Sequence, residues 1–195
     1  GIATPADRER SYGLAGFDRR HTWVTSFVVD LPFFRDADNG LLRSTLGGWQ
    51  ASGLLTLMSG RPLSVTADGA LLRAPGNTLY ADRNGDPKVL GGFGPNVKYF
   101  DTAVFSQPAP ATFGNTVRNG SGVRGPGFTA LDFSLVKRFT LGQSYRFFEF
   151  RADAFNLTNT PAWENPNTSL ASPQFGTITA ASNQRIIRVA LKYAF

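Results

Sequence analysis

Five stretches of the chain alternate apolar and polar side chains with period two, the spacing at which successive side chains of an extended strand turn to opposite faces. From about Arg20 to Pro32, Trp23, Thr25, Phe27, Val29 and Leu31 share one face, and Thr22, Val24, Ser26, Val28 and Asp30 share the other. From about Gly47 to Val65, Trp49, Ala51, Gly53, Leu55 and Leu57 oppose Gln50, Ser52, Leu54, Thr56 and Met58. From about Phe128 to Phe139, Leu131, Phe133 and Leu135 oppose Ala130, Asp132 and Ser134. The fourth stretch, about Ser144 to Asn156, sets Phe148, Phe150, Ala152 and Ala154 against Glu149, Arg151 and Asp153. The fifth, about Arg185 to Phe195, sets Ile187, Val189, Leu191, Tyr193 and Phe195 against Arg188, Ala190 and Lys192. The pattern predicts an all-β fold of about five long strands.

The connections alternate as well. About four residues, Thr140 to Gln143, join the third and fourth strands, whereas about 60 separate the second from the third and nearly 30 the fourth from the fifth. Short turns on one side and long loops on the other are the rhythm of a membrane β-barrel. The first connection, Phe33 to Leu46, contains Asp36-Ala37-Asp38-Asn39-Gly40, whose turn formers suit the short side. The stretch Thr66 to Gly127 is rich in Gly, Pro, Asn and Asp, which predicts extended or irregular structure. A soluble sandwich also buries one face of each strand. The strands predicted here, 11 to 19 residues long, exceed the usual length of about 5 or 6 in such folds.

Composition changes the picture by exclusion. The 195 residues are 42% hydrophobic, which excludes a disordered tail. With 17 Phe and one Met, 21 Gly and 12 Pro, they favour strands and turns over helices. No run reaches the roughly 20 apolar residues that a spanning helix needs. The start, Gly1 to Arg8, carries neither an initiator Met nor an apolar signal core, so the sequence is expected to begin within a longer protein. Absence of Cys removes disulfides, thiolate metal sites and cysteine nucleophiles, and a single His, His21, argues against two-imidazole metal sites and against a catalytic triad. The expectation is a protein that is not an enzyme and holds no cofactor and no metal.

Three local motifs are weighed on the same terms. Gly120-Ser121-Gly122-Val123-Arg124-Gly125 has the spelling of a dinucleotide loop, but the helix that such a loop must open is replaced by Pro126-Gly127 and an alternating strand. Asp82-Arg83-Asn84-Gly85-Asp86 resembles the start of a calcium loop with its Gly misplaced and Phe93 at the twelfth position, so a turn is expected. Glu149, Arg151 and Asp153 recur every about 7 Å along one strand, an arrangement for mutual charge compensation on a watery wall, and are the candidate lumen-facing residues. The net charge of +6 with 25 aromatics could imitate a nucleic-acid platform, but the rings share faces with Leu, Val and Ala, so no nucleic-acid partner is expected. Trp23, Trp49, Phe139, Tyr145 and Tyr193 fall near strand ends, where amphipathic rings favour a membrane interface.

The last strand, Arg188-Val189-Ala190-Leu191-Lys192-Tyr193-Ala194-Phe195, resembles the C-terminal assembly signal of bacterial outer-membrane barrels, in which a polar residue, a small residue, an aromatic and a terminal aromatic stand at Arg188, Ala190, Tyr193 and Phe195. That signal usually carries Gly where Ala190 stands. Further stretches resemble the C-terminal barrel of TonB-dependent outer-membrane receptors, in particular the Oar-like branch with a carboxypeptidase-regulatory-like domain. They include Phe17-Asp18-Arg19-Arg20-His21, Leu46-Gly47-Gly48-Trp49-Gln50, Ser59-Gly60-Arg61-Pro62, Phe113-Gly114-Asn115, Arg124-Gly125-Pro126-Gly127, Phe175-Gly176-Thr177-Ile178, and the run from Arg151-Ala152-Asp153 through Phe155-Asn156-Leu157-Thr158-Asn159-Thr160-Pro161.

The resemblance implies an antiparallel transmembrane β-barrel of about 22 strands in the bacterial outer membrane, with residues 1–195 as the C-terminal portion of one barrel domain. The loops Thr66 to Gly127 and Leu157 to Gln184 would face outside, and the turns near Asp38 and Thr140 the periplasm. It implies uptake of a bulky scarce substrate, of siderophore, vitamin or glycan class. The implied partners are outer-membrane lipid, the barrel-assembly machinery, a plug and further strands outside this sequence, and an energy-transducing TonB complex reached through a preceding segment. The competing expectation is a soluble β-sandwich that binds carbohydrate through Tyr80, Phe93, Tyr99 and Trp163.

Overall fold

The computed structural model describes residues 8–195; the opening Gly1–Asp7, and the side chains at 8, 10 and 143–145, lie outside the described residues. All five strands expected from the alternation form, and they join into one sheet in chain order. They are β1 (Thr22–Asp30), β2 (Trp49–Met58), β3 (Phe128–Leu141), β4 (Gln143–Phe155) and β5 (Ile186–Ala194). Each strand therefore pairs with its neighbours in sequence, the up-and-down order that short hairpins and looped-back connections produce.

The register fixes the two faces. β3 and β4 run antiparallel with Phe133 opposite Ala154, Leu135 opposite Ala152 and Phe139 opposite Phe148. β4 and β5 run antiparallel with Ala154 opposite Ile187, Ala152 opposite Val189, Phe150 opposite Leu191 and Phe148 opposite Tyr193. Because directly opposed residues point the same way, the apolar sets of all three strands fall on one face. At the far side of the sheet, backbone bonds from Leu31 to Trp49 (2.8 Å) and from Ser59 to His21 (2.9 Å) set an antiparallel register in which Phe27 stands opposite Gly53. A Cβ on Gly53 would lie 2.6 Å from the Phe27 ring, so the aromatic lies over the bare glycine.

Boundaries differ from the sequence expectation where backbone contacts intervene. The second strand, expected over 47–65, ends at Met58, because Gly60 is packed so tightly on the Gly125 carbonyl that no Cβ fits, and Pro62 offers no N–H to a ladder. β3 instead runs two residues beyond its expected end, and the turn to β4 narrows to Gly142, with φ +71°. The first connection holds a seven-residue helix, α1 (Gly40–Leu46), where a turn alone was expected. The Asn39 side chain caps it by accepting from the Leu41 amide at 2.9 Å.

The chain divides into two compact units. One contains the sheet: Thr22–Leu57, Thr129–Pro161 and Asn183–Phe195. β1 is exposed along its whole length and β5 along nearly all of it, and neither has a second strand beside it among the described residues. Ile187, Val189 and Leu191 are each more than 60% exposed to solvent. Each such side chain gains about 1.5–3 kcal/mol when removed from water, so this face is built to be covered by something apolar.

The other unit contains the segment up to His21, Met58–Phe128 and Ala162–Ser182. It is mostly irregular, as the composition of the long loop predicts, yet it has a core of its own. Val65, Ala81, Phe100 and Ile178 are fully buried there. Phe100, Phe105 and Phe175 meet edge to face with centroids 5.5–6.3 Å apart. Two-residue strands pair Asp82–Arg83 with Phe105–Ser106 and Ala162–Trp163 with Ala181–Ser182, and Gly94–Lys98 pairs with Thr177–Ile178.

Candidate functional site

The polar face of the sheet is laid out in cross-strand rows. In one, Glu149 of β4 stands between Arg138 of β3 and Lys192 of β5, and its Oε2 accepts from Arg138 Nε at 2.6 Å. In the next, Arg151 stands between Val136 and Ala190. In the third, Asp153 stands between Ser134 and Arg188. It accepts from the Ser134 hydroxyl at 2.5 Å and from Arg151 Nε at 2.9 Å, and the Arg188 guanidinium lies 5.2 Å from the Phe155 ring. At the sheet's other side Gln50 donates to Asp30 at 2.9 Å, and at the long-loop end of β3 and β4 Asp132 accepts the Asn156 backbone amide at 2.8 Å.

The structure thus brings Glu149, Arg151 and Asp153 to one face, as the alternation predicts. The compensation is partly different: Arg151 pairs along the strand with Asp153, while Glu149 pairs across strands with Arg138, which sequence alternation alone did not single out. Both carboxylates are already engaged by guanidinium groups, an arrangement that suits a solvated wall rather than proton transfer to a substrate.

Of the four residues of the terminal pattern, Arg188 and Ala190 belong to the polar face, opposite Asp153 and Arg151. Tyr193 lies on the apolar face opposite Phe148, with ring centroids 4.8 Å apart, and stacks on Phe195 at 5.7 Å. Phe195 itself follows the strand and is 89% exposed. Trp49, Phe139 and Tyr193 all stand at the short-turn end of the sheet, and Trp23 at the opposite end, so rings mark two levels about one strand length apart. The Tyr145 side chain lies outside the described residues.

One residue breaks the apolar face. Lys137 occupies the position between Leu135 and Phe139, opposite Phe150, yet it is only 4% exposed. Its ammonium donates to the Gly47 carbonyl and lies 5.6 Å from the Trp49 ring centroid and 5.0 Å from that of Phe139. In the sequence the only sign of it is a cation at an odd-numbered position among Leu131, Phe133, Leu135 and Phe139.

In the loop unit, Arg124 donates to Asp18 at 2.5 Å and to the Gly60 carbonyl at 3.1 Å. The ion pair borders an open cavity of 460 Å³ lined also by Tyr12, Leu14, Arg20 and Asn119. Burial, with the charge of Arg61 added, holds Arg19 below its ordinary range. The Gly120–Gly125 motif is structural: Ser121 is fully buried with its hydroxyl donating to the Leu63 carbonyl at 2.6 Å, and the strand β3 follows. Asp82 accepts the Asn115 amide at 2.8 Å and Asn84 donates to Ser106 at 3.0 Å, so the acidic stretch ties loop segments together. The backbone amide of His21 donates to the Ser59 hydroxyl at 2.9 Å, at the entry to β1.

Of the aromatics proposed for carbohydrate binding, Tyr80 and Tyr99 are buried, and burial pushes both phenols up, against an opposing pull from Arg118 at Tyr80. They are packing residues, because the long loop has a core to fill. Only Phe93 and Trp163 retain exposed area, stacked at 4.8 Å.

The model of one protein family, described as an outer membrane beta barrel domain, matches residues 1–188. The chain belongs to this family, and its place is the bacterial outer membrane. In a barrel of this kind one face of each strand meets lipid and the other the lumen, and the soluble sandwich is set aside. Comparison with curated proteins and with solved structures found no match in either set.

Proposed function

We propose that the chain is barrel wall and external loops of a TonB-dependent outer-membrane receptor that takes up a bulky, scarce substrate of siderophore, vitamin or glycan class. The observation that carries the reading is the pairing of a charge-balanced lumen face with long connections that pack around their own core. A passive pore needs a polar wall, and a loop unit with its own buried core adds a scaffold on which binding residues can be positioned. The open outer strands β1 and β5 support a wider barrel completed by further strands, because a closed membrane barrel leaves no edge unpaired. A plug filling the lumen and a segment that engages the energy-transducing complex belong to the same proposal. The terminal residues Arg188, Ala190, Tyr193 and Phe195 would be read by the barrel-assembly machinery, with Phe195 exposed just beyond the strand and stacked on Tyr193.

The test is uptake by cells that carry the full-length protein, measured for candidate ferric chelates, vitamins and oligosaccharides with the energy-transducing complex intact or deleted. Accumulation that needs both the protein and the complex supports the reading. Passage of small solutes that is unaffected by deleting the complex contradicts it.

A further inference from the structure

At the short-turn end of the sheet, the connection from β1 to β2 and the end of β3 enclose a cavity of 340 Å³. Arg35, Arg43, Lys137 and Arg138 line it, together with the Ser44 hydroxyl and the Gly47–Gly48 backbone, and no carboxylate does. Two of the cations are committed, Lys137 to the Gly47 carbonyl and Arg138 to Glu149. Arg35 and Arg43 are exposed, and their guanidinium groups have no hydrogen-bond or ion-pair partner among the described residues. Convergent guanidinium groups without a carboxylate make a site for a phosphate, which accepts several charge-assisted bonds from such forks.

The turn that carries these arginines is held in place. Gly47 is buried, and a Cβ there would lie 2.7 Å from the carbonyl oxygens of both Phe34 and Arg43, so the two ends of the connection close on a residue without a side chain. Phe34 is held at φ +55°, a region that costs a bulky residue about 1–3 kcal/mol. The Lys137 ammonium then fastens Gly47 to β3. Beside the cationic cavity the same connection exposes Phe33, Phe34, Leu41, Leu42 and Leu46, with Leu41 at 71%. Basic groups next to exposed apolar side chains, at the level where Trp49 and Phe139 mark the edge of the lipid face, match a molecule with a phosphate at one end and acyl chains at the other.

We infer that this connection is a docking site for a phospholipid of the leaflet at the short-turn end, with its phosphate held by Arg35 and Arg43 and its acyl chains along the exposed Phe and Leu side chains. By the loop rule for membrane barrels, that leaflet is the periplasmic one. The site ties the first turn to the bilayer and fixes the depth at which the sheet sits.

The full-length protein, purified in detergent, tests this by lipid retention in native mass spectrometry. The probes are phosphatidylglycerol, diacylglycerol with the same acyl chains, and inorganic phosphate as competitor. Phosphatidylglycerol should be retained in preference to diacylglycerol. The Arg35→Gln/Arg43→Gln double variant should weaken its binding about twenty-fivefold, about fivefold for each basic residue. Equal retention of the two lipids, or unchanged binding by a folded double variant, overturns the site. Displacement of phosphatidylglycerol by an equimolar amount of inorganic phosphate shows a free-anion site and overturns the lipid assignment. Should the double variant fail to fold, the preference of the wild-type protein between the two lipids decides the question alone.

Discussion

Arg138 and Glu149 face each other across β3 and β4 with 2.6 Å between guanidinium and carboxylate, while Lys137, one residue earlier, lies on the opposite face with its ammonium on the Gly47 carbonyl. Two consecutive cations thus serve unlike environments. One balances charge on the polar face, and the other is buried on the apolar face against a carbonyl and two aromatic rings. The pleat of a single strand separates a polar from an apolar face in this way, the faces that the proposed barrel turns to lumen and bilayer.

The separation can be tested at adjacent positions. Leu135→Arg places a charge on the expected lipid face opposite Ala152, and Val136→Glu places one on the expected lumen face opposite Arg151, a cation. The first should cost about 2–4 kcal/mol near the bilayer midplane, and the second should leave folding nearly unchanged. Denaturant titration of the full-length protein folded into liposomes measures both.

Asn156 ends β4 at φ +50° and is buried. Its side-chain amide donates to the Thr160 carbonyl at 2.9 Å and to the Asn183 carbonyl, while its Oδ1 accepts the Thr160 amide at 3.1 Å. Asn156→Ala leaves these groups without their partner and should destabilise the connection by about 1–3 kcal/mol. Faster proteolysis between 156 and 185 in intact cells is the expected sign.

Gly60→Ala should be poorly tolerated, because the atom in the way is the Gly125 backbone carbonyl, which has no rotamer by which to yield. A cost of about 1–3 kcal/mol is expected for such overpacking, read from thermal unfolding of the loop unit. Gly69→Ala, with nothing within 4 Å, is the control.

Tyr80 and Tyr99 give the loop unit an alkaline limit. Burial raises both phenols above the ordinary value of 10.0. The folded unit then holds its phenolic protons more tightly than the unfolded chain, so stability is full below about pH 10 and falls as pH rises above it. Tyr99→Phe should remove part of that fall, which an unfolding series between pH 8 and pH 11 would show.

Much of this architecture is legible in the sequence, for physical reasons. Period two is legible because successive side chains of a strand turn to opposite faces, and the five alternating runs form five paired strands in the same order. Glu149, Arg151 and Asp153 were found on one face because alternation alone places them there. Local pattern does not distinguish Arg138 from Lys137, since assigning two adjacent cations to opposite faces needs the register with β4 and the position of Gly47. The end of β2 was missed for a similar reason: the close approach of Gly60 to Gly125 joins residues 65 positions apart, which no local pattern records. The buried roles of Tyr80 and Tyr99 depend on a core assembled from several loop segments.

Residues 1–195 contain no Cys, so single cysteines placed here report the two faces once any Cys elsewhere in the full-length protein has been replaced. The most direct measurement is the reactivity of Phe148→Cys, Glu149→Cys, Phe150→Cys, Arg151→Cys, Ala152→Cys and Asp153→Cys towards a water-soluble maleimide, in outer membranes that carry the full-length protein. Reaction at 149, 151 and 153 with protection at 148, 150 and 152 is the expected result. Uniform reactivity along the run, or protection that follows depth without alternation, would contradict a wall with lipid on one face and an aqueous lumen on the other.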